Sequence, residues 1–256
     1  MSTVAILQAR TSSGRLPGKV LRPILGLPMI LHQIARVRRA RSLDRLIVAT
    51  STDPSDDHLA AVLAGAQVAV HRGALDDVLG RFAGALAALA PGAGTVVRLT
   101  ADCPLADPDV IDATVAHHRA AGAAYTSNCL HPSFPDGLDV EVVGAEALRL
   151  ADREAVLPSE REHVTPFIRA RPERFAAAEW RSPRDLSHLR WTVDTPGDLA
   201  FVTAVYERLH PADPDFGSEA VLALLDREPG LAALNTGEVR NAGYAASLAA
   251  EAGARA

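Results

Sequence analysis

The densest chemistry in the chain lies in LQARTSSGRLPGKVL (7–21), which gathers Arg10, Arg15 and Lys19, the hydroxyls of Thr11, Ser12 and Ser13, and Gly14 and Gly18. Glycines let a backbone turn sharply and approach a ligand closely. Free amides and fixed cations in such a turn suit a polyphosphate. Spacing excludes two common phosphate motifs. A P-loop has four residues between its glycines, then Lys followed by Ser or Thr; here the intervening residues are only Arg15, Leu16 and Pro17, and Val20 follows Lys19. No G-x-G-x-x-G occurs either. A merely solvated basic loop would share this composition.

Two acids stand in comparable places. LTADCPLADP (99–108) puts Asp102 just past an apolar run, and RWTVDTPGDLAFV (190–202) puts Asp194 just before a helical pattern. In an α/β sheet, ligands gather at the carboxyl ends of the strands. Mg²⁺ typically takes one or two carboxylates plus phosphate oxygens. Either aspartate alone reads equally well as a turn or N-cap residue. Together with the cationic loop they point to a metal–triphosphate site. Cys103 and Cys129 read as small buried residues, and the nine histidines show no ligand spacing.

The elements that must position these groups follow from periodicity. Strands over 3–9, 45–50, 67–71 and 95–100 alternate with helices over 28–40, 55–66, 76–90 and 108–122. That alternation gives an α/β fold, Rossmann-like, with a mostly parallel sheet and helices on both faces. Asp53-Pro54, Asp107-Pro108 and Thr195-Pro196 are N-cap pairs, and Thr195 with Asp198 resembles a capping box. After about residue 123 the pattern becomes irregular. AAYTSN, LDVEVV and RFAAAEW read as strands and SEREHVTPFIRARP as a short helix, suggesting a small inserted subdomain at about 129–187. HLRWTV (188–193) reads as a strand, 196–209 as a helix, and 229–256 as an Ala-rich helical tail.

Composition excludes several classes. The 256 residues carry 26 Lys+Arg against 31 Asp+Glu, a net charge of −5, which argues against phosphate-driven nucleic-acid binding. MSTVAIL lacks a basic n-region, so no secretory signal is expected, and the uncharged stretch 82–97 is too short and too broken to span a bilayer. The expected setting is the cytoplasm, with no membrane partner.

QARTSSGRLPGK (8–19) resembles the signature of cytidylyltransferases that activate acidic sugars, the CMP-KDO and CMP-sialic acid synthetases. It is most similar to the branch called spore coat polysaccharide biosynthesis protein F, and the resemblance runs from about residue 3 to about 248. It implies a nucleotidyltransferase domain over 1–228 that contains the insert, a helical tail over 229–256, and a homodimer formed through the insert. It implies that Gln8, Ala9, Arg10, Ser13, Gly14, Arg15, Lys19 and Thr100 meet the nucleotide. Asp102 matches a family aspartate in a D-x-P context and Asp194 the one in V-D-T-P-E-D-L, both as Mg²⁺ ligands; Ala101 and Gly197 stand where Gly and Glu are common. HRGALDDVLGRF (71–82) resembles the segment against the base, which brings in Asp77 and Arg81. On residue chemistry alone these two form a helix-start acid and an i,i+4 pair. FPDGLDVEVV (134–143) and SEREHVTPFI (159–168) resemble acceptor-side segments, which nominates Glu141, Glu162 and His163. An acidic acceptor also needs a cation, which the sequence does not single out.

The reaction so implied is attack of a sugar acid's anomeric hydroxyl on the α-phosphate of CTP. Arg10, Arg15 and Lys19 would be the catalytic cations, Asp102 and Asp194 would hold Mg²⁺, and no separate general base is evident. Three alternatives stay open. One is a nucleotidyltransferase using another NTP or a phosphonate or polyol phosphate acceptor. Another is a metal-dependent glycosyltransferase, although Asp102-Cys103-Pro104 lacks the Asp-x-Asp of that class. The third is a non-catalytic scaffold of the same fold.

Overall fold

The computed structural model describes residues 2–236 and 240–255. Apolar, β-branched runs form β1 (Ser2–Gln8), the short hairpin β2 (Pro23–Ile24) and β3 (Leu27–Pro28), β4 (Arg45–Ser51), β5 (Ala69–Gly73) and β6 (Ala93–Thr100). Between them lie α1 (Met29–Val37), α2 (Asp57–Gly65) and α3 (Val78–Leu89), with α4 (Pro108–Ala121) after β6. The second half adds β7 (Tyr125–Ser127), β8 (Glu141–Gly144), α5 (Ala145–Glu154), α6 (Pro158–His163), α7 (Pro166–Arg169), β9 (Ala177–Glu179), α8 (Pro196–Leu209), α9 (Ser218–Arg227) and α10 (Ala242–Arg255).

Seven strands make one sheet in the order β5-β4-β1-β6-β8-β7-β9. β4 and β6 flank β1 in parallel, with Leu7 beside both Val48 and Leu99. β5 joins β4 in parallel, and only β8 runs against its neighbours β6 and β7. The pleat sends alternate residues to opposite faces. Val4, Ile6, Ile47 and Val96 pack with Leu79, Phe82, Leu86 and Leu148 from α3 and α5. Ala5, Leu7, Val48, Val97 and Leu99 pack with Ile30, Ile34, Leu59, Leu63, Ile111 and Val115 from α1, α2 and α4. Both faces are therefore covered, as continuous apolar strands require.

The three N-cap pairs form as their chemistry dictates. The side chains of Asp53, Asp107 and Thr195 accept from the amides of Ser55, Asp109 and Asp198. Residues 129–187, expected as an inserted subdomain, supply β8 and β9 to this same sheet, with α5 and α7 on one of its faces.

Residues 188–193 depart from expectation. They form extended chain with a single bridge, Arg190 to Asp136, instead of a strand. Their backbone bonds go to turns: Trp191 N donates to Asp136 O (2.6 Å) and Val193 N to Asp102 O (2.7 Å). The apolar character that suggests a strand serves a third core, where Trp191 and Val193 pack with Phe201, Val205, Tyr206 and Val221 of α8 and α9.

Gly137 makes this junction possible. Its φ is +113°, and a Cβ there would lie 2.6 Å from Thr192 N and 2.7 Å from Trp191 C. Gly137→Ala is expected to destabilise the fold by more than about 1 kcal/mol, since both the backbone region and the space exclude a methyl group. Urea unfolding checks this; an unchanged midpoint would mean the two segments are not locked together.

Candidate active site

The loop after β1 is tied down at both ends. Thr11 N and Thr11 Oγ1 both donate to Asp56 Oδ1, at 2.7 and 2.9 Å. Gly18 N donates to Thr11 O (2.9 Å), and Gly18 adopts the left-handed conformation (φ 68°) that starts a 3-10 turn over Lys19–Leu21. That turn buries the Lys19 side chain and points its ammonium at two carboxylates. Lys19 Nζ donates to Asp102 Oδ2 (2.9 Å), Asp194 Oδ1 (2.8 Å) and Val193 O (2.8 Å). Positions far apart in sequence thus converge on one atom.

Asp194 is held from behind as well. Arg190 Nη2 donates to Asp194 Oδ2 at 3.0 Å, and Arg15 Nη2 lies 2.9 Å from the same oxygen. Arg190 also forks onto fully buried Asp198 and reaches Asp136 Oδ2 (2.8 Å). Asp198 in turn accepts from the amides of Asp194 and Thr195. Burial would raise the Asp102 carboxyl, but the Lys19 charge and a Thr100 hydrogen bond hold it well below the usual range. Burial would lower Lys19, and the two aspartates more than reverse that. Cys103, buried beside Asp102, is pushed well above the ordinary thiol range.

These groups line a cavity of about 550 Å³. Gln8, Ala9, Arg10, Ser13, Gly14, Arg15 and Lys19 form its walls at one side, with Thr100, Asp102, Asp194 and Arg81. Glu141, Glu162 and His163 line it too.

Two expected contacts are otherwise engaged. Asp77 is not in the lining: it caps α3 through Gly80 N (2.8 Å) and takes a bidentate pair from Arg161 at 2.8 and 2.6 Å. Its carboxylate is spent on joining α3 to α6. Glu141 faces the cavity but its oxygens are occupied by Arg98, Tyr125 Oη (2.6 Å) and Thr165 Oγ1 (2.6 Å). Arg81 donates to Ala74 O and Leu75 O, so it braces the loop before α3 while its edge reaches the cavity.

Several lining residues had no clear sequence signal. Arg98 points inward from β6 and Arg169 from the end of α7; each has a buried Nε without a hydrogen-bond partner among the described residues. Asp139 is raised to about 7 by burial, offset by Arg240 and reinforced by Asp136 and Glu141. Arg190 could have been suspected from its i,i+4 relation to Asp194. Asn241–Tyr244 enter from α10 and its start, a segment whose composition says only that it is helical.

The sequence model of the family described as Cytidylyltransferase matches residues 4–200. This chain belongs to that family. Spore coat polysaccharide biosynthesis protein SpsF of Bacillus subtilis (strain 168) is 34% identical over 235 residues, covering 88% of this chain and 94% of that protein. A 3-deoxy-manno-octulosonate cytidylyltransferase of Anaeromyxobacter dehalogenans (strain 2CP-C) is 37% identical over 128 residues, covering 50% of each chain. Among solved structures, a cytidylyltransferase from Leptospira borgpetersenii serovar Hardjo-bovis (strain JB197) superposes with a TM-score of 0.85 at 26% identity, covering 93% of this chain and 100% of that one. The cytidylyltransferase is thus a Rossmann-like nucleotidyltransferase, and among the described residues no helix is long and apolar enough to cross a membrane.

Removing the ammonium tests the central contact. Lys19→Met leaves Asp102 without its cation and is expected to cost about 3 kcal/mol at neutral pH, the low end for breaking a buried pair because Asp102 keeps some solvent. In the wild type the Asp102 contribution is present above about pH 4 and lost as pH falls further, since its folded pKa lies below the unfolded value. In the variant the buried carboxyl titrates above that value, so acidification toward about pH 4 favours its folded state. The stability gap should therefore narrow on acidification, measured by urea unfolding in EDTA; a constant gap would deny the coupling.

Proposed function

We propose that this cytidylyltransferase transfers the cytidylyl group of CTP to the hydroxyl of an acidic sugar, of the nonulosonic or 2-keto-3-deoxy class, with release of pyrophosphate. The observation that carries this reading is the convergence of Lys19, Asp102 and Asp194 in a cavity that the phosphate-loop cations and also Arg98 and Arg169 line. A triphosphate needs the first feature, and a carboxylate on the acceptor needs the second. The relatives named for spore coat polysaccharide and for 3-deoxy-manno-octulosonate support such an acceptor and a role in surface polysaccharide synthesis.

The acceptor hydroxyl attacks the α-phosphorus, its proton passes to solvent water, the bond to the bridging oxygen of the β-phosphate breaks, and pyrophosphate leaves carrying that electron pair. Such transfers depend on positioning and charge stabilisation. Arg10 and Arg15 neutralise the triphosphate, and Gly14 lets the loop backbone approach its oxygens closely. Lys19 follows the charge that develops on the leaving group. Arg190 fixes Asp194 against rotation. Arg169 orients the acceptor through its carboxylate.

The donor set fits Mg²⁺. Two hard carboxylate oxygens, from Asp102 and Asp194, lie 2.9 and 2.8 Å from one shared point, now the Lys19 ammonium. No cluster of three His, Cys, Asp or Glu occurs among the described residues, so phosphate oxygens would complete the shell. When bound there, Mg²⁺ supplies charge to the α-phosphate and lowers the acceptor hydroxyl's pKa. The reading places the enzyme in the cytoplasm, where CTP is made, and includes a homodimer, which sedimentation tests.

A pyrophosphate-release assay with each of the four NTPs, Mg²⁺ and a panel of 2-keto-3-deoxy sugar acids is expected to respond to CTP alone. Lys19→Ala and Arg15→Ala should each lose roughly a hundred- to thousandfold in kcat. Arg169→Ala should raise acceptor KM about tenfold or more, as loss of a charged hydrogen bond does, with CTP KM unmoved. Equal turnover with UTP, or with acceptors lacking a carboxylate, would overturn the assignment.

A further inference from the structure

Part of the cavity wall comes from beyond the residues that the family's sequence model matches. Asn241–Tyr244 line the cavity, whereas the match ends at residue 200. Helix α10, which they begin, is seated unlike the other helices. Where its side chains are described, only Tyr244, Ser247 and Glu251 are half-buried, while Leu248 and the neighbouring alanines face out. The three lie at i, i+3 and i+7, one stripe of the helix.

Every member of that stripe meets the α6–α7 unit. Ser247 Oγ donates to Glu162 Oε2 (2.8 Å) and sits 3.0 Å from His163 Nε2. Glu251 accepts from Ser159 N. The Tyr244 ring stands edge-on to His163 at 5.1 Å and lies under the Arg169 guanidinium at 5.3 Å. One residue before the turn, Arg240 hooks onto Phe134 O (3.1 Å) and Asp139. Asn241, in the left-handed region at φ 58°, then redirects the chain into α10.

Two consequences follow. The seat is polar and buries little apolar surface, so α10 separates from the body at low free-energy cost. And α10 engages the very groups of the acceptor end, Glu162, His163 and Arg169, so that acceptor binding and helix seating address the same side chains. We propose that residues 240–251 form a movable cover over the acceptor end of the cavity, in which Tyr244 sets the size of the acceptor admitted and Ser247 holds the helix on Glu162. This rests on the reading that the acceptor is a sugar acid. The cover excludes water when seated and must tilt for a bulkier acceptor.

The test uses the full-length protein with Tyr244→Ala and Ser247→Ala, after circular dichroism confirms folding. Calorimetry with CTP and Mg²⁺ should show Kd unchanged within about twofold, while acceptor KM rises about tenfold and preference across the sugar-acid panel shifts toward larger substituents. Unchanged acceptor KM and preference, or CTP and acceptor KM rising together, would overturn the proposal. Hydrogen exchange of the α10 amides reads the cover without turnover. It should be protected in the wild type and faster by about tenfold in Ser247→Ala with CTP affinity intact. If no sugar acid reacts, the acceptor reading fails by itself and this exchange result decides the cover. Wild-type amides exchanging as fast as a free peptide would sink it.

Discussion

The lysine ammonium shared by Asp102 and Asp194 is the contact on which the site depends. It joins the loop after β1 and the end of β6, which the sheet sets side by side, to the extended segment before α8, which the sheet does not position. Two carboxylates that close repel each other unless a cation lies between them. Lys19 supplies that cation in the free enzyme and holds the Asp102 carboxyl well below the usual range. On the proposed reading, the same pair of oxygens would receive a divalent ion arriving with a triphosphate. A site built to receive opposite charges thus avoids being strained before they arrive.

Behind this contact lies a second layer that gives it rigidity. Arg190 spreads its donors over Asp136, Asp194 and Asp198, and Asp198 closes the capping box of α8. Gly137 lets the 134–139 turn press against 191–192 without a side chain in between. The third core under α8 and α9 fixes Trp191 and Val193 on either side of Thr192. The aspartate is therefore mounted on a braced arm. Carboxylates held by several fixed donors lose little entropy when a ligand binds, which is the advantage of preorganisation.

The acceptor end is arranged differently. Glu141 gathers Arg98, Tyr125 and Thr165 into one network beneath the cavity floor, whereas Glu162, His163 and Arg169 stand at its rim against a lightly seated helix. The nucleotide side is built on strand ends and a pinned loop. The acceptor side is built on two short helices and α10. On the proposed reading, rigid placement suits the triphosphate and a lightly held wall suits the part that must discriminate among acceptors.

Much of this was legible in the residues. Parallel strands announce themselves by unbroken apolar runs, because burial on both faces demands it; the helix starts announce themselves by Asp-Pro and Thr-Pro pairs, because capping is local chemistry. The cationic loop and both aspartates were visible for the same reason: fold class alone assigns strand ends to the ligand. What escaped depends on partners distant in sequence. The apolar 188–193 segment looked like a strand, since apolarity does not say whether a sheet or a pair of helices buries it. Asp77 looked like a ligand until Arg161 claimed it, and Glu141 until Arg98, Tyr125 and Thr165 did. Arg169 and Tyr244 carried no local mark, because a cavity wall is defined by what closes around it. By itself, then, the sequence determined the parallel strands, the helix starts and the cationic loop, all consequences of short-range pattern. Only tertiary structure decided which charged groups remain available to a substrate, because that turns on which counter-charge the folded chain brings within hydrogen-bonding reach.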